Sequence, residues 1–252
     1  MRSIRFHCLR CGRRTSTMCC DAQDWARNPA DHATITGHGQ WRQAVQAYLA
    51  SISFCDRQVG RVLQALQESP VADSTTVVLW SDNGFHLGEK LHWRKFTLWE
   101  EATRVPFVLV PAADLRRAPQ PQIVDEPVSV MDLFPTLFAL EQLPLAPGCG
   151  EAQSLLPLLQ QNQGAHAAES ASPRSAALTS WQRGNHSLRW RQWRYTRYHT
   201  GDEELYDLEA DPREWHNLVV RDRLSADQQR ALDRLRREMT RRAGPAPTGR
   251  ER

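Results

Sequence analysis

The chain has 252 residues, of which 40% are hydrophobic and 24% charged, and its formal net charge is +3. That length and balance suit a globular domain with a full core, or one domain plus a small appendage, and exclude a disordered chain. No apolar stretch nears the about 18–20 residues that span a bilayer, which excludes a helical membrane protein.

The basic excess gathers at the two ends, in Arg2 to Arg14 and Arg221 to Arg242. Basic ends contact nucleic acid or anionic lipid in some proteins, but nothing here matches a nucleic-acid motif, so they read as a solvated helix face or tail. The start, Met-Arg-Ser-Ile-Arg-Phe-His-Cys, lacks the apolar run of about 7–15 residues of a secretory signal. The expectation is a cytoplasmic chain with neither nucleic-acid nor membrane partner.

Four of the six cysteines, Cys8, Cys11, Cys19 and Cys20, lie in the first twenty residues; Cys55 and Cys149 complete the set. Cys8-Leu-Arg-Cys11 has the gap of a zinc knuckle or redox pair, and Cys19-Cys20 nominally completes four ligands. Adjacent cysteines suit one tetrahedral ion poorly. Residues 1–30 also lack hydrophobic periodicity and read as a non-family or disordered leader.

From Trp41, apolar residues recur at gaps of three and four through Val45, Tyr48, Ile52, Cys55, Val59, Leu63 and Leu66. This predicts a helix from about Gly39 to Gln67, stopped by Ser69-Pro70. Thr75 to Trp80 is β-branched and apolar on both faces, as a buried parallel strand is. A loop rich in His, Lys and Trp follows, and Arg104 to Val110 reads as a second buried strand. A Pro-rich turn at Pro119 and Pro121 precedes a short helix over Asp132 to Leu140. Residues 160–176 read as a loop.

Ala176 to Tyr198 alternates aromatic and basic residues, which predicts a small antiparallel sheet over the alternative of a single-strand nucleic-acid groove. Leu205 to Leu208 reads as a strand ended by the Asp211-Pro212 turn. An amphipathic helix covers about Ser225 to Arg242. The expected fold class is α/β, with a partial parallel (mixed) sheet and flanking helices. A small C-terminal antiparallel sheet packed with a helix completes it. The expected divisions are 1–30, 31–160, 161–220 and 221–252.

Chemistry concentrates in Ser81-Asp82-Asn83-Gly84 and the loop to Lys95. An acid and an amide at a strand end are hard oxygen donors, suited to Ca²⁺ or Mg²⁺. Lys95, a loop later, returns a cation to the same place, and a cation pair neutralises a sulfate or phosphate oxyanion. Asp-Asn-Gly is also an ordinary turn, and His86 and His92 taken alone read as loop surface sooner than as ligands.

The segment from Tyr48 to Val110 resembles sulfatases of the alkaline phosphatase superfamily, most of all their iduronate-2-sulfatase branch. It holds in order the helix Tyr48 to Arg61, the strand, the Ser-Asp-Asn-Gly turn, Leu87-Gly88-Glu89, Trp93-Arg94-Lys95, and Thr103-Arg104-Val105-Pro106. Downstream, Asp132-Leu133-Phe134-Pro135-Thr136 and Ser154-Leu155-Leu156-Pro157-Leu158 are similar to family motifs. So are Glu204-Leu205-Tyr206-Asp207-Leu208 and Asp211-Pro212 with Glu214 and Asn217.

The resemblance implies a sulfuric ester hydrolase acting on a small-molecule or glycan sulfate. It implies Asp82 and Asn83 as ligands of one Ca²⁺ (or Mg²⁺), and Lys95 on the sulfate. His86, Lys90 and His92 lie in the pocket-lining loop, and the two histidines are candidate substrate contacts. The family nucleophile is a formylglycine made from Cys/Ser-x-Pro-x-Arg. No cysteine here is followed by x-Pro-x-Arg, and no Asp-Asp pair completes the metal site. The expectation is a truncated, inactive and poorly soluble fragment. A phosphoesterase or phosphonate hydrolase of the same superfamily and a non-catalytic binder of sulfated glycans are the alternatives.

Overall fold

The computed structural model describes residues 29–113, 121–145, 150–160, 176–221 and 223–245. Cys8, Cys11, Cys19, Cys20, Cys149, Pro119 and the stretch 161–175 lie outside the described residues. Cys55 is an exposed free thiol. Among the described residues no helix is long and apolar enough to cross a membrane.

Helix α1 (Pro29–Gly37) leads into the long α2 (Trp41–Gln67), whose span agrees with the periodicity. The contacts of α2 gather on one side. Trp41 packs edge-on to Trp93 at 5.7 Å, and Tyr48 stacks on Phe85 at 4.8 Å. No residue of α2 is fully buried, and Leu49, Ile52, Phe54, Val62 and Leu63 stand open to solvent. Of the apolar stripe read from the sequence, Val45, Tyr48, Val59 and Leu66 are half-buried and Trp41, Ile52, Cys55 and Leu63 are exposed.

Strand β1 (Val77–Trp80) ends at the Asp-Asn-Gly turn. The chain then makes a small hairpin, β2 (His86–Leu87) with β3 (Trp93–Arg94), and a one-turn helix, α3 (Glu100–Thr103), before β4 (Phe107–Val110). Strands β1 and β4 pair with each other, Val77 opposite Val110 and Trp80 opposite Phe107, and run antiparallel. This corrects the expectation of parallel strands for these two runs. A parallel pair needs a crossover to bring the chain back to the same end, whereas here the chain reverses through a hairpin and one helical turn. The fold class remains α/β. Trp80 is 47% exposed and Val110 53%, so the sheet presents apolar surface.

The Asp132 to Thr136 motif works as a clasp. Ser129 and Asp132 form a capping box around a 3-10 turn (Val130–Asp132) that opens α4 (Leu133–Leu140). The second Asp132 oxygen accepts from Gln153 N–H at 2.8 Å, and Thr136 Oγ1 accepts from Leu155 N–H at 2.8 Å. Those bonds hold the start of α5 (Leu156–Leu159) against α4.

The C-terminal unit is an antiparallel meander, β5 (Ala177–Ser180), β6 (His186–Trp190), β7 (Trp193–Arg197) and β8 (Glu203–Asp207), in that spatial order, with α6 (Ala226–Ala243) behind it. Ser225 caps α6 with a reciprocal capping box to Gln228. Leu188, Tyr195 and Leu205 on one sheet face pack with Leu232, Leu235 and Met239 of α6. Asn217 stands in for a fifth strand: its Oδ1 accepts from Leu205 N–H and its Nδ2 donates to the Glu203 carbonyl, both at 3.0 Å.

Every residue of β7 is buried. Trp193 and Tyr195 face α6, while Arg194 and Thr196 point the other way, Arg194 to the Leu98 carbonyl of the loop after β3 and Thr196 to Ser187 Oγ at 3.0 Å. The alternation of aromatic and basic residues thus serves two interiors. Leu235 is wholly buried at the helix–sheet seam, so Leu235→Ala should cost about 2–5 kcal/mol through lost burial and the cavity left behind. The urea midpoint measures this.

Candidate active site

The turn after β1 is fixed by its own bonds. Ser81 Oγ donates to the Asn83 carbonyl at 2.8 Å, and Asn83 Nδ2 donates to the Gly84 carbonyl at 2.9 Å. With the amide nitrogen so held, Asn83 Oδ1 is turned to the Lys95 ammonium, whose Nζ donates to it at 3.1 Å. Asp82 is exposed beside it. Gly84 is required by space: a Cβ there would lie 2.0 Å from the Glu101 carbonyl oxygen, while Gly84 N–H donates to Ala102 at 2.8 Å.

The loop carrying Lys95 is bent through unusual backbone. Gly88 has φ +112, and a Cβ there would strike the Trp41 ring at 2.2 Å. Lys90, Leu91, Arg94 and Phe96 are left-handed without being glycine. Such residues each cost about 1–3 kcal/mol and persist only where the surroundings over-determine them. The surroundings here are visible. Arg94 pairs with Asp31 at 2.8 Å, and Trp93 Nε1 donates to His32 Nδ1 at 3.3 Å.

His86 and His92 are not loop surface; both are buried, their rings edge to face at 4.9 Å. His86 Nε2 shares a hydrogen bond with Thr97 Oγ1 at 2.7 Å, and His92 Nε2 donates to the Lys95 carbonyl at 2.9 Å. Burial, with His92 and Lys90 beside it, pushes the His86 imidazole down to about 3. Burial also lowers His92, against the pull of the Lys95 carbonyl and Asp31. Both hold neutral rings, and their contacts brace the backbone on either side of the loop.

Beneath the loop lies a charge network that the sequence reading left without a role. The Lys90 ammonium is buried, donates to the Glu214 carbonyl, and sits 4.6 Å from the Trp99 ring and 4.7 Å from the Tyr206 ring. Glu204 accepts from Trp99 Nε1 at 3.0 Å and from the Tyr198 hydroxyl at 2.9 Å. Arg194 pairs with Glu214 at 2.7 Å and with Glu100, and donates to the Leu98 carbonyl at 3.1 Å. Burial raises the Glu204 carboxyl and pushes Glu214 up to about 7 despite Arg194 and Lys90. Burial also works to raise Glu100, but the Arg194 and Arg189 guanidiniums outweigh it and hold it below its ordinary value.

The structure thus brings Asn83 and Lys95 into contact, with Asp82 adjoining, and places His86 and His92 behind them. Asp82 and Asn83 are hard oxygen donors of the kind Ca²⁺ and Mg²⁺ take, but Ca²⁺ takes about six to eight oxygens. Among the described residues no three His, Cys, Asp or Glu side chains form a metal cluster. The residues present therefore fit as part of a coordination shell and not as a whole one.

The overall arrangement is that of the alkaline phosphatase superfamily: a solved 2-O GAG sulfatase superimposes with a TM-score of 0.64 at 25% identity, over 80% of this chain and 44% of that one. The Sulfatase family model matches residues 10–142, more than half of the chain, and the chain belongs to the sulfatase family. It is 40% identical over 179 residues to a sulfatase of Formosa agariphila, covering 71% of this chain and 33% of that protein. It is 30% identical to the iduronate 2-sulfatase of Mus musculus, covering 70% of this chain and 44% of that enzyme. The chain thus spans between about a third and just under half of the length of these relatives.

Two outcomes test the supports of the site. Arg194→Met leaves buried carboxylates without their cation and should cost about 3–5 kcal/mol. Adding Glu214→Gln should then recover at least about 1 kcal/mol, measured by a double-mutant denaturation cycle. His86 stays neutral in the fold down to about pH 3, while the unfolded chain takes up a proton below about 6.5. Stability from this group is therefore lost as pH falls from 6.5 toward 3, by about 2 kcal/mol at pH 5. Urea midpoints at pH 7 and pH 5 measure it, and the difference should shrink in His86→Asn.

Proposed function

We propose that this chain forms the C-terminal part of a sulfatase active site, in which Asp82 and Asn83 ligate a Ca²⁺ (or Mg²⁺) and Lys95 binds the sulfate of an ester substrate. The observation that carries the reading is the 3.1 Å contact of the Lys95 ammonium with Asn83 Oδ1, at the C-terminal end of an apolar strand. That contact sets one fixed positive charge beside an oxygen able to ligate a second. Asp82 and Asn83 would hold a divalent ion there, and such an ion would supply Lewis-acid polarisation of a sulfuryl oxygen. Lys95 neutralises charge that builds on the sulfuryl group as the S–O bond breaks and water delivers alcohol and sulfate. His92 holds the Lys95 backbone through its carbonyl, so the ammonium is aimed and not merely nearby. His86 and His92 act behind the substrate pocket, not in direct contact with the ester.

The reading extends to what the chain lacks. The sequence contains no Cys/Ser-x-Pro-x-Arg nucleophile motif and no Asp-Asp pair. The open apolar faces of α2 and of the β1–β4 pair are the surface on which the remainder of a sulfatase domain packs; the exposure of Phe54, Val62, Trp80 and Val110 supports this. The substrate class favoured is a sulfated sugar of the kind that an iduronate 2-sulfatase acts on, by the motif order from Tyr48 to Lys95.

Calorimetric titration tests the site. The chain should bind Ca²⁺ weakly, and Asp82→Ala or Asn83→Ala should reduce the affinity at least about tenfold. Unchanged Ca²⁺ binding in both variants sinks the metal assignment. The chain alone should not hydrolyse an aryl sulfate, and turnover by a purified preparation would refute the expectation of an inactive part.

A further inference from the structure

Beside Lys95 stands an aromatic pair that the reading above does not use. Phe96 and Trp181 stack with ring centroids 4.6 Å apart and planes inclined by 22°. Trp181 follows β5 and is anchored from behind, packed on the buried cluster of Leu98, Trp99, Tyr198 and Tyr206. Its backbone N–H donates to the Asn185 carbonyl at 3.0 Å. Phe96 in contrast is 50% exposed. Its backbone has φ +77, a conformation that bulky side chains avoid and glycine adopts freely. The Lys95 ammonium lies 5.4 Å from the Phe96 ring centroid and 3.1 Å from Asn83 Oδ1.

These facts need one explanation. A ring that only closed the seam between the hairpin loop and the C-terminal sheet would be buried, and a glycine or small residue would spare the backbone strain. Here a left-handed backbone sets a large apolar surface in the open, next to a fixed positive charge. Strained residues of this kind gather at ligand-binding positions. An aromatic surface beside a cation suits a ligand that carries an apolar ring face and an anion at neighbouring positions.

We propose that Phe96 and Trp181 form the wall of a ring-binding subsite, which takes the pyranose of a sulfated sugar while Lys95 takes its ester sulfate. The proposal rests on the sulfate role given to Lys95. The C–H bonds of one pyranose face lie on the exposed part of the Phe96 ring. Trp181 holds that ring from the C-terminal unit, so both units contribute to substrate choice. The polar hydroxyl edges of the sugar stay toward solvent. The pair thereby selects sulfated sugars over acyclic alkyl sulfates.

The test uses the full chain in Ca²⁺ buffer with two probes, glucose 6-sulfate and ethyl sulfate, titrated by calorimetry and by saturation-transfer NMR. The wild-type chain should prefer glucose 6-sulfate by about tenfold, with saturation reaching the ring protons. Phe96→Gly, which suits the left-handed backbone, and Trp181→Leu, which keeps apolar volume, should bring glucose 6-sulfate to within about twofold of ethyl sulfate. Ethyl sulfate binding should not change, which also shows that the variants are folded. Phe96→Tyr should keep the preference, and Lys95→Ala should weaken both probes. A preference that survives Phe96→Gly and Trp181→Leu overturns the ring subsite while leaving Lys95 on sulfate. Equal binding of the two probes by the wild type overturns it as well. Binding of neither probe overturns both readings.

Discussion

A lysine ammonium held in the interior organises the candidate site. Lys90 is fixed by a backbone carbonyl, by the faces of two aromatic rings and by carboxyl groups close at hand. Arg194 does the same for the next turn of chain through Leu98 and Glu100. Between these anchors lie Lys95 and Phe96, which have no comparable burial of their own. Desolvating charges offsets most of what their attraction returns, so such a network adds little net stability. Breaking it from one side is costly, so it defines register. The loop can keep four left-handed non-glycine residues because both of its ends are pinned in this way.

The same network explains the two-faced burial of β7. A strand with a helix on one side and a polar cluster on the other needs apolar residues at alternate positions and paired charges between them. Trp193 and Tyr195 meet the first demand; between them Arg194 is paired with Glu100 and Glu214, and Thr196 satisfies its hydroxyl on Ser187. The C-terminal sheet is therefore the floor on which the loop carrying Lys95 is laid.

Much of this was legible in the sequence where a single element carries its own signal. Helices α2 and α6 follow from three-and-four periodicity, and the meander follows from alternation. Strand direction was not legible, because the apolar runs of β1 and β4 have no marker of which way a partner runs. Nor was the burial of His86 and His92, since a histidine in a polar loop looks alike whether it faces water or a neighbouring ring. Asp82, Asn83 and Lys95 stand out as candidates chiefly through the ordered motifs; as isolated residues they also spell a turn and a surface lysine. The partners of Lys90 were hidden by distance along the chain. Glu204 and Glu214 were on view in their motifs, and their placement among Leu, Tyr and Trp was the available hint of burial.

The contact between Lys90 and the Glu214 carbonyl joins residues 124 positions apart. During synthesis the ribosome makes the hairpin long before the carbonyl, and before Tyr206, which helps enclose the ammonium. Until then the ammonium is better hydrated than enclosed, and nothing holds the left-handed turns in place. The hairpin must therefore be among the last parts of the nascent chain to take its final shape, and a ribosome stalled before residue 214 would carry Lys95 on a loop not yet set.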